Sequence, residues 1–323
     1  MNRPRYLLTG EVSNQIRSFK SYLQEQHLDK STVRQKSNYA GYFLTWCEAE
    51  HLPVIAARYN DLLNFVDYCK LDGKSKQHVN TILRATRSYY EFLKLANPGI
   101  INPAINLHVK GTHSKVVSGI IDFNELENLY QSQRTDTPRD KRNKIILGLL
   151  VYQAVNTEEL SKLETVHVKL KEGKIYIPGN RRRSSRTLEL KPFQILELHE
   201  YLTEIRPQIL AEITTPKPFG RRPDKINADR LKDQLFSSVN GSENIKHSLL
   251  HLFRAIRKAH PAITNAVQVR QSAITHWLKT QNLRQVQYMA GHRHVSSTER
   301  YKTSNMDNLQ SKLEKFHPLS NPE

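Results

Sequence analysis

Apolar positions recur at three- and four-residue spacing through most of the first hundred residues, which is the signature of amphipathic helices. Val12, Ile16, Phe19 and Leu23 share one face of a first helix. Asp29, Ser31 and Thr32 offer caps for a second, which ends near Glu50 and carries Val33, Tyr42, Phe43 and Trp46 inward. Residues 60–71 predict a short third helix through Leu63, Phe65 and Val66. Ser75 is placed to cap a fourth, running to about Leu95 with Val79, Ile82, Leu83, Tyr89, Tyr90, Phe92 and Leu93 on its apolar side. Asn97-Pro98-Gly99 ends that helix and Pro103 opposes a restart, because proline lacks the amide hydrogen that a helix needs.

Residues 106–119 lose the periodicity and read as a linker. Asp122 and Glu125 have capping-box spacing and open a second domain. Its stretch Lys141–Ala154 is nearly all apolar along its length, which predicts a buried central helix. The pattern then alternates with period two: Val166, Val168 and Leu170, then Ile175 and Ile177, then Leu188 and Leu190. That is a three-strand meander, and the loop between its last two strands holds Arg181, Arg182, Arg183 and Arg186. Pro192 suits the start of a helix to about Tyr201, and residues 213–227 form a Pro-rich basic loop. Ile245, Leu249, Leu252 and Ile256 mark another helix, and short helices fill Ala266–Lys279, Leu283–Ala290 and Ser297–Thr303. The fold class expected is α+β and mostly helical: a four-helix lobe over residues 1–105, a linker over 106–119, and a mixed lobe with a three-stranded antiparallel sheet over 120–323, ending in a C-terminal tail.

Charge narrows the partner. The 323 residues hold 49 Lys and Arg against 31 Asp and Glu, a formal charge of +18. Residues 1–107 carry 14 basic and 9 acidic side chains, and residues 108–323 carry 35 and 22, so both lobes are basic. Such a surplus points to a polyanion, with nucleic acid ahead of an anionic membrane surface. On the fourth helix Lys74, Lys76, Arg84 and Arg87 form a polar side that suits DNA contact or simple solvation. The longest apolar run, Ile145–Val155, is 11 residues, against the ~20 that span a bilayer, so no membrane partner is expected. No secretory signal is readable, and Cys47 and Cys69 are the only cysteines, which favours a cytoplasmic setting without a disulfide framework or cysteine-based zinc site. No Gly-rich phosphate loop or internal repeat occurs. Carboxylates stand singly, and Glu158 and Glu159 face opposite ways on a helix, so neither a metal nor another cofactor is expected.

The stretch Val267–Tyr301 carries the most specific pattern. Arg270 is followed by His276 and Trp277, and eight residues separate Gly291-His292 from Tyr301. With the two-lobe layout, this resembles the tyrosine recombinase, or phage integrase, family over residues 11–304. That family's catalytic pattern is an Arg in a first box, a Lys in a β-hairpin, His-x-x-Arg in a second box, a His or Trp, and a nucleophilic Tyr. The resemblance implies a helical core-binding lobe of the SAM-like type and a catalytic lobe. It also implies site-specific recombination, integration or transposition of a mobile element. Two lobes then clasp DNA within a homo- or heterotetramer of recombinases, and residues after Thr303 pack on a neighbouring protomer.

By that resemblance Tyr301 attacks the phosphodiester and holds a 3′-phosphotyrosine, Arg270 clamps the phosphate, and His292 stabilises charge or shuttles a proton. The residue types suit the chemistry. Guanidiniums fork onto non-bridging oxygens and offset the charge that builds there, and a tyrosyl ester conserves bond energy without metal or ATP. His276 is expected to support the fold. The chain departs from the pattern at three places. Asn156 stands at the first-box Arg, Val267 at the His of His-x-x-Arg, and arginines at the hairpin Lys. Gln271 also follows the second-box Arg, where His is common. One lost transition-state donor costs ~3–4 kcal/mol. Arg181 and Arg182 are the expected compensating cations, with Arg183 and Arg186 contacting DNA; a hairpin that only tracks phosphates fits the pattern as well. The alternative function is a catalytically degenerate recombinase that binds DNA as the partner of active ones.

Overall fold

The computed structural model describes residues 9–111, 117, 119–215, 228–238, 241, 242 and 244–302, and the chain divides into two compact units, residues 1–114 and 115–323. The first unit is built from α1 (Gly10–Glu25), α2 (Lys30–Ala49), α3 (Tyr59–Leu71) and α4 (Lys76–Ala96). Side chains set the starts: the Thr9 hydroxyl accepts from Val12 N, the Asp29 carboxylate from Ser31 N, and the Ser75 hydroxyl from His78 N. Each satisfies an amide that a helix leaves open at its first turn.

The apolar stripes of these helices meet in one core, where Phe19, Phe43, Phe65, Val79, Ile82 and Tyr90 have no exposed surface. Phe43 meets Phe65 edge-on at 5.1 Å, and Phe19 meets Tyr89 at 5.2 Å, the geometry that ring quadrupoles favour. The expected linker does not begin at residue 106. Leu107 is buried in this core, and Val109 exchanges two hydrogen bonds with the Asn80 amide, at 2.7 and 2.9 Å. The remaining linker positions 112–116 and 118 lie outside the described residues.

The second unit packs around α6 (Pro138–Tyr152). Ile146, Leu147, Leu149, Leu150 and Val151 are essentially without exposure, as an apolar run requires when it is surrounded on every side. Packed on it are α5 (Phe123–Gln131), α8 (Pro192–Glu200), α9 (Arg206–Thr214) and α12 (Ala266–Thr280), and the unit also holds α7 (Thr157–Lys162), α10 (Ala228–Asp233), α11 (Lys246–Ala259), α13 (Leu283–Ala290) and α14 (Ser296–Glu299). The sheet is antiparallel in the order β1 (Val168–Lys169), β2 (Lys174–Ile177), β3 (Arg186–Glu189), with Ile175 opposite both Val168 and Leu188. Gly173 turns the chain into β2 at φ 63°, a left-handed conformation that glycine adopts without strain.

Two details differ from the period-two reading. Val166 is 72% exposed in a 3-10 turn rather than in a strand, so β1 has only two residues. The helix α6 stops at Tyr152 although the apolar run continues, because Ala154 turns the backbone at φ 46°. No helix among the described residues is long and apolar enough to cross a membrane. The C-terminal segment 303–323 and most of the Pro-rich loop, residues 216–227, lie outside the described residues.

Candidate active site

The site grows from the start of α7. Asn156 caps this helix, its Oδ1 accepting from Glu158 N at 2.8 Å and Glu159 N at 3.0 Å. The residue at the first-box Arg position is therefore engaged by its own backbone, and its Nδ2 is buried with no partner among the described residues. Glu159 completes the capping box by accepting from Asn156 N at 2.9 Å. The two neighbouring carboxylates do point apart: Glu158 is exposed and bonds Lys162, whereas Glu159 is 2% exposed.

Glu159 sits among three guanidiniums. Arg186 forks onto it with bonds of 2.8 and 3.0 Å, while Arg270 Nη1 stands at 3.8 Å and Arg183 Nε at 4.0 Å. Burial by itself would raise the carboxyl of Glu159; the Arg186 fork and charge, joined by the charge of Arg270, outweigh it and hold the group ionised below its usual range. The buried Glu159 was missed in the sequence. Its signal was the capping-box spacing from Asn156, overlaid on the Glu-Leu of the first box.

Arg270 projects from α12, donating to the carbonyl of Ala154 and, at 2.6 Å, to that of Ala290. Its Nη2 also approaches His292 Nε2 at 3.5 Å. Of five N–H donors, Nε–H and one Nη1–H then keep no protein acceptor among the described residues. Burial, followed by the charge of Arg183, lowers the Arg270 guanidinium to about 9. His292 Nδ1 bonds the Thr298 hydroxyl at 2.9 Å. An imidazole that accepts at Nε2 carries its proton on Nδ1, and the hydrogen-bond network assigns that tautomer. Burial and then the Arg270 charge push the ring down to about 3, so His292 is neutral at physiological pH. Tyr301 lies beside it, the two rings nearly parallel with centroids 5.9 Å apart.

The hairpin between β2 and β3 is docked against the third box. Arg183 and His292 form an isolated antiparallel bridge, Ser184 N donates to Gly291 O at 3.1 Å, and Arg293 Nη2 donates to Asn180 O at 3.0 Å. Tyr288 closes the other flank, its hydroxyl accepting from Thr187 N at 3.2 Å.

Part of this constellation lines one cleft of about 480 Å³. It brings together Arg270, His292, Tyr301, Arg182 and Arg183 with Asn156 and Val267, and adds Arg293, His294 and Arg300, which sequence pattern alone does not single out. Arg181 is exposed and does not line it. Val267, where the family has His, is 59% exposed and offers methyl groups. One expectation is corrected. Arg186 is not placed to contact DNA, because its side chain has no exposure and both terminal nitrogens bind Glu159. His276 stacks on Phe123 at 4.0 Å, away from this cleft.

In the first unit the four basic residues of the α4 region divide. Lys76 and Arg84 are exposed. Lys74 pairs with Asp72 and lies over the Tyr42 ring, 4.3 Å from its centroid. Arg87 is half-buried and donates to Ala104 O at 3.1 Å and Leu107 O at 3.3 Å, which ties α4 to the segment that follows it. Arg84, Arg87, His108 and Lys110 share a hollow of about 440 Å³ on this surface.

Residues 120–308 match the phage integrase family. The chain is 26% identical to tyrosine recombinase XerC of Oceanobacillus iheyensis over 311 residues, 95% of this chain and 96% of that one. It is 24% identical to tyrosine recombinase XerD of Listeria innocua over 301 residues, 91% and 95% of the two chains. Its fold is similar to that of XerH site-specific recombinase bound to palindromic difH substrate, with a TM-score of 0.64 and 17% identity over 97% of this chain and 99% of that one. It is also similar to the Tn1549 transposon integrase in complex with transposon right end DNA, with a TM-score of 0.61 and 15% identity over 94% and 99%. Arg270, His292 and Tyr301 of the family's pattern lie on a single cleft, and the protein belongs to the phage integrase family of tyrosine recombinases.

Proposed function

We propose that this chain binds double-stranded DNA and breaks and rejoins it at a specific site through a 3′-phosphotyrosine on Tyr301, in the integration or transposition of a mobile element. The observation that carries this reading is the one cleft in which Tyr301, His292, Arg270, Arg182 and Arg183 meet. The Tyr301 hydroxyl loses its proton as its oxygen attacks phosphorus, the bond from phosphorus to the 5′-oxygen breaks as the phosphotyrosyl bond forms, and the departing 5′-oxygen takes up a proton, so no net proton is gained or lost. Attack by a 5′-hydroxyl on the phosphotyrosine reverses the step and joins a new strand. Arg270 and Arg183 offset the charge that builds on the non-bridging oxygens. His292, neutral and bonded to Arg270, orients that guanidinium. The exposed Lys76 and Arg84, with His108 and Lys110, hold the DNA backbone on the other lobe.

Exchange between two duplexes needs several protomers, and we infer a tetramer on DNA, of this chain alone or with other recombinases. The test is covalent capture. The protein is incubated with nicked duplexes of randomised core, and adducts are resolved on a denaturing gel. A DNA-linked species is the expected result. DNA binding without any adduct would favour the degenerate partner, a reading that rests on Asn156 being engaged as a helix cap.

A further inference from the structure

Arg186 has no part in the scheme above. Among the described residues it is the largest side chain with essentially no exposure, it carries a charge, and its Nε is buried without a partner. A guanidinium in that position is held by its fork onto Glu159. Room for it is kept by Gly291: a Cβ there would collide with Arg186 Nη1, and φ 66° already favours glycine. The Gly-His pair of the third box thus has a second duty, since the glycine roofs Arg186 while the histidine holds Arg270.

Glu159 is an acceptor of the same kind as a phosphate. Its two oxygens are taken up by both terminal nitrogens of Arg186 and by Asn156 N. Arg270 and Arg183 stand at 3.8 and 4.0 Å, about 1 Å short of a hydrogen bond. Remove Arg186, and a buried carboxylate is left with those two cations as its nearest replacements.

We propose that Arg186 is a positioning residue: it occupies Glu159 so that the guanidiniums of Arg270 and Arg183 stay available to a phosphate in the cleft. In a chain with Asn156 at the first-box Arg, neither of those cations can be spared. Charge makes the same point. Three guanidiniums and one carboxylate leave two positive charges, Arg186→Met leaves one, and Arg186→Met with Glu159→Gln restores two. The inference rests on the phosphate-binding part of the reading above and not on strand cleavage.

Tungstate, a tetrahedral dianion, is the probe, titrated by calorimetry into the full-length chain. Arg186→Met should weaken its binding roughly tenfold or more, the size of a lost charge-assisted hydrogen bond, and adding Glu159→Gln should bring affinity back to within about threefold of the parent. A merely structural Arg186 would give an affinity loss that follows the melting temperature and is not relieved by the second change. Equal weakening of the single and double variants, or no weakening of the single, overturns the proposal. If Arg186→Met does not fold, Arg186→Lys makes the same comparison, since a point donor leaves one Glu159 oxygen open and Glu159→Gln should relieve that too. Tungstate binding with this rescue but no covalent DNA adduct overturns strand cleavage and upholds the role of Arg186. A parent cleft that does not bind tungstate overturns both.

Discussion

The backbones of Arg183 and His292 pair across an antiparallel bridge, so the basic hairpin and the third box move as one piece. Further bonds from Ser184 to Gly291 and from Arg293 to Asn180 hold the same seam. A hairpin fixed in this way does not deliver three equivalent arginines. Arg183 faces the cleft beside Glu159, Arg182 lies on its wall, and Arg181 lies off it.

The three should therefore separate on mutation. Arg183→Ala is expected to slow adduct formation by roughly two to three powers of ten, the loss of one transition-state donor. Arg181→Ala should leave the rate near that of the parent and change only the salt dependence of binding, by roughly 0.9 in log–log slope for each phosphate that is no longer neutralised. Single-turnover rates at two salt concentrations make the comparison, and equal losses at 181 and 183 would contradict the placement of the hairpin.

On α4 the pair Arg84 and Arg87 should divide as well. Arg87 strengthens the fold by binding two carbonyls at 3.1 and 3.3 Å, so Arg87→Ala should cost about 1–3 kcal/mol of stability in urea unfolding. Exposed Arg84→Glu should leave unfolding unchanged and weaken DNA binding. A stable Arg87→Ala protein with impaired DNA binding would place Arg87 on the DNA surface instead.

The helices were legible in the sequence because their apolar faces repeat and their caps are local: Asp29, Ser75 and Asp122 begin helices by bonding amides two or three residues ahead. Tyr301, Arg270 and His292 were legible through spacing. Arg186 and Glu159 were not, because 27 residues separate them and only the docking of β3 on α7 turns an apparent surface arginine into a buried partner. The carbonyl contacts of Arg87 are hidden from the sequence for a similar reason. Its acceptors are backbone carbonyls at 104 and 107, and no side-chain pattern announces them.

His292 should leave a mark on stability against pH. The unfolded imidazole titrates near 6.5 and the folded one near 3, so between these values the unfolded chain binds a proton that the native chain refuses. The contribution of His292 to stability therefore falls as pH drops below 6.5. His292→Asn should flatten that limb of the melting-temperature profile relative to the parent. Identical profiles for the two proteins would mean that His292 is not held neutral in the fold.

Asn156→Arg has two opposing consequences. Loss of the Asn156 cap, with its two bonds to Glu158 N and Glu159 N, should destabilise the protein by about 1 kcal/mol. The added guanidinium enters a cleft already lined by Arg182, Arg183 and Arg270, and should tighten tungstate binding. Weaker binding in a folded variant would mean that the α7 cap, and not the missing charge, governs this corner of the cleft.

Mapping the protein–DNA linkage tests the account most directly. After capture on nicked duplexes, the adduct is digested with protease and nuclease, and the peptide that retains a nucleotide is sequenced by mass spectrometry. The account predicts a single modified residue, Tyr301, with the adduct lost and DNA binding kept in Tyr301→Phe. A nucleotide on Tyr288 or any other residue, or an adduct that persists in Tyr301→Phe, would contradict it.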